Sequence, residues 1–176
     1  MTHNTFYGHK NVKVTFQPNI GLDSGARQSV IDILNLLLAD EAVLSFKTHK
    51  AQGNSAGTDL PELISLYDAQ TNQINAVSNE IVERVHIMGG TQLRGSHDLF
   101  EHARLGVDLN AEPSALNILA DHEAYIRFLR EDTQKCSEMY EDQGTFAMLV
   151  NIMRIHEKMA WILRKNIGLE QFDHGK

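Results

Sequence analysis

Four stretches of the chain set apolar residues at i, i+3, i+4 and i+7, the spacing that lines one face of an α-helix. The first carries Val30, Ile33, Leu34, Leu37 and Leu44. It opens at Asp23 or Ser24, both good caps, and should run to about Lys50 before Gly53, Asn54, Ser55 and Gly57 break it. The second carries Leu60, Leu63, Tyr67, Ile74, Val77, Ile81, Val85 and Met88. Asp59 and Glu62 have capping-box spacing at its start, Pro61 sits harmlessly in the first turn, and Gly89-Gly90 ends it. At 1.5 Å per residue this helix is about 43 Å long. The third carries Leu116, Leu119, Ile126, Leu129 and Cys136, with Pro113 at its start and its end near Tyr140. The fourth, from about Thr145 to Asn166, carries Leu149, Ile152, Met153, Met159, Ala160, Leu163 and Ile167, and Gly168 closes it.

Between the second and third helices lies a connection from Thr91 to Glu112. It is long for a helical bundle and leaves room for a crossover. Its middle, Ser96 to Arg104, reads as a short helix that docks Leu99 and Phe100 inward. The pattern predicts an all-α fold: a ferritin-like four-helix bundle with a short extra helix in the long B–C crossover. The expected division is an N-terminal tail over 1–22, the bundle over 23–168 and a polar tail over 169–176. Val12 to Phe16 is an extended piece that could pack on the bundle.

The 176 residues suffice for a substantial core. A net charge of −7, with Lys10 and Lys13 as the cations of the first tail, disfavours nucleic acid as a partner and suits attraction of small cations. One cysteine, Cys136, leaves no internal disulfide and is compatible with a reducing cytoplasm. Met1 to Gln17 lacks the apolar core of a signal peptide, and no apolar run is long enough to span a membrane. The expected location is cytoplasmic.

Three stretches carry more than periodicity. They are LLADEAVLSFKTHKAQGN (Leu37 to Asn54), Asp68-Ala-Gln through Ile81-Val-Glu-Arg-Val to Met88-Gly-Gly-Thr, and Asp142-Gln-Gly-Thr with His156-Glu-Lys-Met-Ala-Trp-Ile-Leu-Arg164. In this order they resemble the Dps family of miniferritins, over about residues 30 to 167. The resemblance implies a hollow homo-oligomer of twelve subunits that oxidises Fe(II), preferably with peroxide, and stores the ferric mineral. Many members also bind DNA. It implies an iron site shared by two subunits across a twofold axis, with zinc as a second candidate metal at the same place.

Laid on this sequence, the implied ligand set is only partly kept. Gln52 stands where the first histidine belongs, Gly53 at the following tryptophan, Ile64 at the second histidine and Asn79 at the second aspartate. Asp68 and Glu83 keep their acids. Lying fifteen residues apart on one straight helix, they can meet only across a pair of helices from two chains. Gln52 and Asn79 could offer neutral amide oxygens, weaker donors to iron than imidazole or carboxylate.

Substitute ligands are available. Glu83 and His86 have the i, i+3 spacing of di-iron helices, although such a pair is also common on solvated surfaces. His49 lies three residues before Gln52, either as a ligand or as an exposed helix-end histidine. His156 interrupts the apolar face of the last helix, as a ligand or as a core residue bonded to a carboxylate such as Glu123. His97 and His102 read as solvated, Met148, Met153 and Met159 as core filling, and Trp161 as lying off the apolar face. The resemblance also implies an acidic threefold pore near the start of the last helix. Asp142 is present there, with Phe146 and Ala147 in place of further acids.

Overall fold

The computed structural model describes residues 16–53 and 60–168. It contains α1 (Ser24–Gly53), α2 (Leu60–Ile87), α3 (Ser96–His102), α4 (Ala115–Glu138) and α5 (Gln143–Asn166), with no strand among the described residues. The four long helices and the short one in the crossover are the expected bundle. No helix of the described residues is long and apolar enough to cross a membrane.

The helix ends follow from local chemistry. The Asp23 carboxylate accepts the Gly25 and Ala26 N–H groups at 2.7 and 2.9 Å, satisfying donors that the first turn leaves free. Gly89, at φ 82°, takes the left-handed conformation that terminates α2. Gly90 N–H then reaches back to Val85 O at 2.9 Å. A side chain on Gly90 would meet Ile31 of α1 at 2.7 Å, so the chain turns there only because that residue is bare. Ser114 and Asn117 cap α4 reciprocally, and Asp142 caps α5. Asp59, the expected first member of the α2 capping box, lies outside the described residues, as do residues 1–15 and the 169–176 tail.

Side-chain pairs give the register. Ser45 meets Asn75 and Gln52 meets Asp68, so α1 and α2 run antiparallel. Glu123 meets Arg164 and Arg130 meets Glu157, so α4 and α5 do too. Lys47 pairs with Asp121 at 2.8 Å across the two hairpins. The apolar faces fuse into a large cluster that includes Leu34, Leu37, Leu44, Ile74, Ile81, Leu129, Leu149 and Ile152. A smaller cluster of Ala51, Tyr67, Ile118, Leu119, Ala160 and Leu163 sits nearer the α1–α2 connection. Cys136 is buried in the large cluster, where desolvation and then Asp142 and Asp132 push its thiol up to about 12. That holds it protonated and unreactive.

Two expectations change. Leu116 was expected inward and is 58 % exposed. The face that α4 buries is set by Ile118, Leu119, His122, Tyr125 and Leu129, and Leu116 is left at its edge in the first turn. Arg104 was expected within the short helix, which instead ends at His102. Arg104 clamps the crossover to the bundle: its Nε and backbone N–H donate to Asp40 of α1 at 2.8 and 2.7 Å, and its Nη1 to Asp132 of α4 at 2.7 Å. Leu105 N–H adds a third donor to Asp40, Phe128 covers the guanidinium at 4.4 Å, and Lys135 completes Asp132 at 2.9 Å. Leu99 and Phe100 dock as expected, Phe100 against Phe46 at 5.5 Å between ring centres. Phe16, at the end of the piece expected to pack, is 97 % exposed.

Arg104→Met should destabilise the fold by about 3–5 kcal/mol, because it strands the fully buried Asp40 carboxylate. Urea unfolding measures this. Adding Asp40→Asn should recover part of the loss, since no buried charge is then left alone.

Candidate metal centre

The buried positions of α2, Tyr67, Gln70, Ile74, Val77, Ile81 and Val85, with Met88 just past its end, turn its other side outward. Asp68, Asn72, Asn75, Asn79, Glu83 and His86 are all exposed there, three or four residues apart, and make one continuous polar stripe. Asp68 and Glu83 stand about 22 Å apart along it. Among the described residues of one subunit, no three His, Cys, Asp or Glu side chains gather into a metal-binding group.

Each end of the stripe has a local neighbour. Gln52, at the C-terminal end of α1, donates Nε2–H to Asp68 Oδ1 at 2.6 Å. A carboxylate can only accept, so the Gln52 amide must present its NH₂ group and turn its oxygen away. The residue in the first histidine's place thus occupies an acid instead of joining it as a ligand. At the other end the His86 ring nitrogen Nε2 and Gln92 Oε1 lie 2.6 Å apart, which ties His86 to the loop after α2. His49 is exposed near the end of α1, and Ile64 is half-buried and offers no donor. His97 and His102 are exposed on α3, as expected.

His156 belongs elsewhere. It is fully buried in the bundle, remote from the polar stripe, and Glu123 is not its partner: Glu123 pairs with Arg164. His156 Nε2 lies 2.9 Å from Glu41 Oε1 of α1, and its Nδ1 lies 3.1 Å from His122 Nδ1 of α4. Tyr125 packs edge-on against the same ring, 4.6 Å between centres, with its hydroxyl beside Glu41. Burial, then the neighbouring His156, lowers the His122 pKa well below its ordinary value and keeps that ring neutral. Burial, then Glu41, raises that of Tyr125.

Glu41, His122 and Tyr125 were missed as candidates by the sequence reading. A signal was present: Glu41 falls in the series Leu37, Glu41, Leu44, Thr48, and His122 in Ile118, His122, Tyr125, Leu129, so polar residues interrupt apolar faces in both.

Asp142, expected as a pore acid, is engaged within the subunit. Arg84 of α2 holds it at 2.8 and 3.1 Å, and the Thr145 N–H donates to it at 3.0 Å as the α5 cap. The Arg84 Nε donates to Thr145 Oγ1 at 2.9 Å and closes the ring. Burial alone would raise the Asp142 pKa, but the Thr145 hydrogen bonds and the Arg84 charge outweigh it and hold the carboxyl below its usual value.

A ferritin-like domain family matches residues 31–172. The chain belongs to that family. It is 34 % identical over 153 residues to a low temperature-induced protein of Nostoc sp., covering 85 % of this chain and 86 % of that one. Among solved structures it is similar to DpsC from Streptomyces coelicolor, with a TM-score of 0.81 at 20 % identity over 90 % of this chain and 96 % of the other. It is also similar to a Dps protein from Vibrio cholerae, described as a member of a broad superfamily of ferritin-like diiron-carboxylate proteins. That match has a TM-score of 0.76 at 19 % identity over 89 % of this chain and 99 % of the other. The fold of this ferritin-like chain is therefore that of the Dps miniferritins.

For Asp142 the sign of the pH effect is set by its lowered pKa. Its contribution to stability is complete above the ordinary carboxylate value of 3.8 and is lost as pH falls through the depressed folded value. Asp142→Asn should destabilise the protein by about 2–4 kcal/mol at neutral pH, through loss of the buried ion pair and weakening of the cap. The penalty should shrink below pH 3.8. Urea midpoints of both proteins across the acid range check this.

Proposed function

We propose that the chain assembles into a hollow, dodecameric miniferritin shell that takes up Fe(II), oxidises it with peroxide or oxygen as electron acceptor and retains the ferric product. The observation that carries this reading is the exposed stripe of Asp68, Asn79, Glu83 and His86 on α2, on a chain with the Dps fold. Within one subunit this row has neutral neighbours, Gln52 at Asp68 and Gln92 at His86, and among the described residues neither acid meets a cationic side chain. Facing the same stripe of a second subunit, antiparallel across a twofold axis, Asp68 of one would approach Glu83 of the other. Hard oxygen donors and imidazole in that arrangement suit iron, and also zinc.

The metal centre would be an altered one. Asp68 must release the Gln52 amide before it binds a cation with both oxygens, Asn79 brings an uncharged oxygen, and Ile64 brings none. His86, and at greater distance His49, are the imidazoles left near this face. Fewer anionic donors mean weaker capture of Fe(II) and slower oxidation than a full set of two histidines and three acids. A shell with little or no oxidation, acting as a structural or DNA-protecting particle, is the second reading. The Gln52–Asp68 bond favours its loss of oxidation, while the net charge of −7 opposes DNA binding.

Two measurements test these readings. Light scattering after size exclusion should give a particle near twelve times 19.8 kDa; a monomer would refute the shell. Apo-protein mixed with Fe(II) under peroxide, and separately under oxygen, should oxidise it faster than a protein-free control and leave a soluble iron core. Gln52→His with Ile64→His and Asn79→Asp should accelerate that oxidation at least tenfold. A wild-type rate equal to that of the triple variant would show that the altered centre is not impaired.

A further inference from the structure

Among the described residues four carboxylates are buried: Asp40, Glu41, Asp132 and Asp142. Arg104 holds Asp40, Arg104 and Lys135 hold Asp132, and Arg84 holds Asp142. Glu41 is 0 % exposed and has neither an arginine nor a lysine. Its neighbours are an imidazole and a phenol.

The contact between Glu41 and His156 is close but is not aligned as a hydrogen bond. Both Glu41 carboxylate oxygens and His156 Nε2 lack a well-aligned hydrogen-bond partner, although Oε1 and Nε2 are only 2.9 Å apart, and the Tyr125 hydroxyl lies within reach of the same carboxylate. The N–H direction of an ordinary ion pair would run along that line. Two donors each about 2.1 Å from one ion, at right angles around it, lie about 3 Å apart and both point off their connecting line. The 2.9 Å between Glu41 Oε1 and His156 Nε2 matches that separation.

The other ring nitrogen of His156 faces a second buried imidazole. One proton lies in the 3.1 Å contact between His156 Nδ1 and His122 Nδ1. With that proton on His156, Nε2 carries a lone pair towards a carboxylate that carries its own. Two lone pairs facing each other in a dry core need a cation between them. A histidine whose other nitrogen is held in this way is the usual condition of a metal-bound imidazole.

All four long helices also carry buried polar residues where the two apolar clusters meet. Thr48 of α1, Gln70 and Thr71 of α2 and His122 of α4 fall between the residues of the two apolar clusters, as does His156 on α5 beside Met159. Thr48 Oγ1, Gln70 Oε1, Thr71 Oγ1 and His122 Nε2 are likewise buried without partners. Orphaned buried polar atoms are rare in folded proteins, and a concentration of them marks a place where something polar is bound. Four-helix cores accept metals from inward carboxylates and histidines on facing helices.

We propose that each subunit carries a divalent-cation site inside its own bundle, with Glu41 and His156 Nε2 as ligands, the Tyr125 hydroxyl as third donor and His122 as the residue that orients His156. Glu41 and His122 face opposite nitrogens of His156, so the site draws on two acidic or imidazole ligands, not three. Mixed nitrogen and oxygen donors select a cation of the zinc or iron(II) kind over calcium or magnesium. The site is separate from the stripe on α2 and stands whether or not that stripe binds iron.

The test uses the assembled protein, stripped of metal by a chelator and titrated with Co²⁺. To silence the outer stripe, the titration is done in the Asp68→Asn, Glu83→Gln, His86→Gln variant. The expected result is a saturable visible ligand-field band at one Co²⁺ per subunit, displaced by Zn²⁺. Glu41→Gln and His156→Gln, each added to that variant, should weaken binding at least tenfold with unchanged helical circular dichroism and particle size. Absence of a saturable band, or an equal band after both core substitutions, would overturn the proposal. Should the core variants fail to assemble, Zn X-ray absorption of the stripe-silenced protein at one equivalent decides: imidazole scattering supports the site, and an all-oxygen shell overturns it.

Discussion

A carboxylate removed from water must find positive charge close by, or the fold loses several kcal/mol. That constraint organises this bundle. Asp40 and Asp132 lie on different hairpins, and one arginine from the crossover answers both. Arg104 therefore tells the long connection where to lie and tells α1 and α4 how far apart to stand. Arg84 and Asp142 do the corresponding work at another level, joining α2 to the start of α5. Apolar contact alone would tolerate sliding of one helix along another, whereas these charged contacts hold a single register.

Set against those pairs, Glu41 is anomalous. It is the immediate neighbour of Asp40, equally buried, and has only His156 and Tyr125 beside it. A cation between Glu41 and His156 would bring it under the same rule as the other three. The outer face of α2 is the opposite case. Asp68 and Glu83 are exposed and inexpensive to leave without a countercharge, and within the subunit Asp68 takes only the neutral Gln52 amide as partner. The two proposed centres thus lie under different electrostatic conditions, one on the exposed face of α2 and the other in the dry interior of the bundle.

Much of the architecture was legible in residue order. Apolar spacing located the four long helices, Gly89-Gly90 and Gly168 their ends, and the length of the Thr91–Glu112 connection its crossover. Where the expectation failed, neighbours decided. Leu116 has the spacing of a core residue, yet the register of α4 leaves it outside. Arg104 reads as the end of the short helix, and it is a clamp because Asp40 and Asp132 converge on it. His156 was legible as a polar residue on an apolar face, but its carboxylate was misassigned. Glu41 and Glu123 both lie on helices that pack near it, and only the turn of each helix selects between them.

The sequence by itself determined what depends on chain-local chemistry: helix period, caps, breaks, the long crossover and the exchange of ligand types at positions 52, 64 and 79. These are properties of residues within a turn or two of one another, where backbone geometry is nearly universal. Only the tertiary structure decided which polar groups meet. The Gln52 amide holds Asp68, Arg104 binds two hairpins, and Glu41, His156 and His122 form a line through the core. Such meetings depend on helix rotations and offsets set by the packing of the whole core, and no local spacing encodes them.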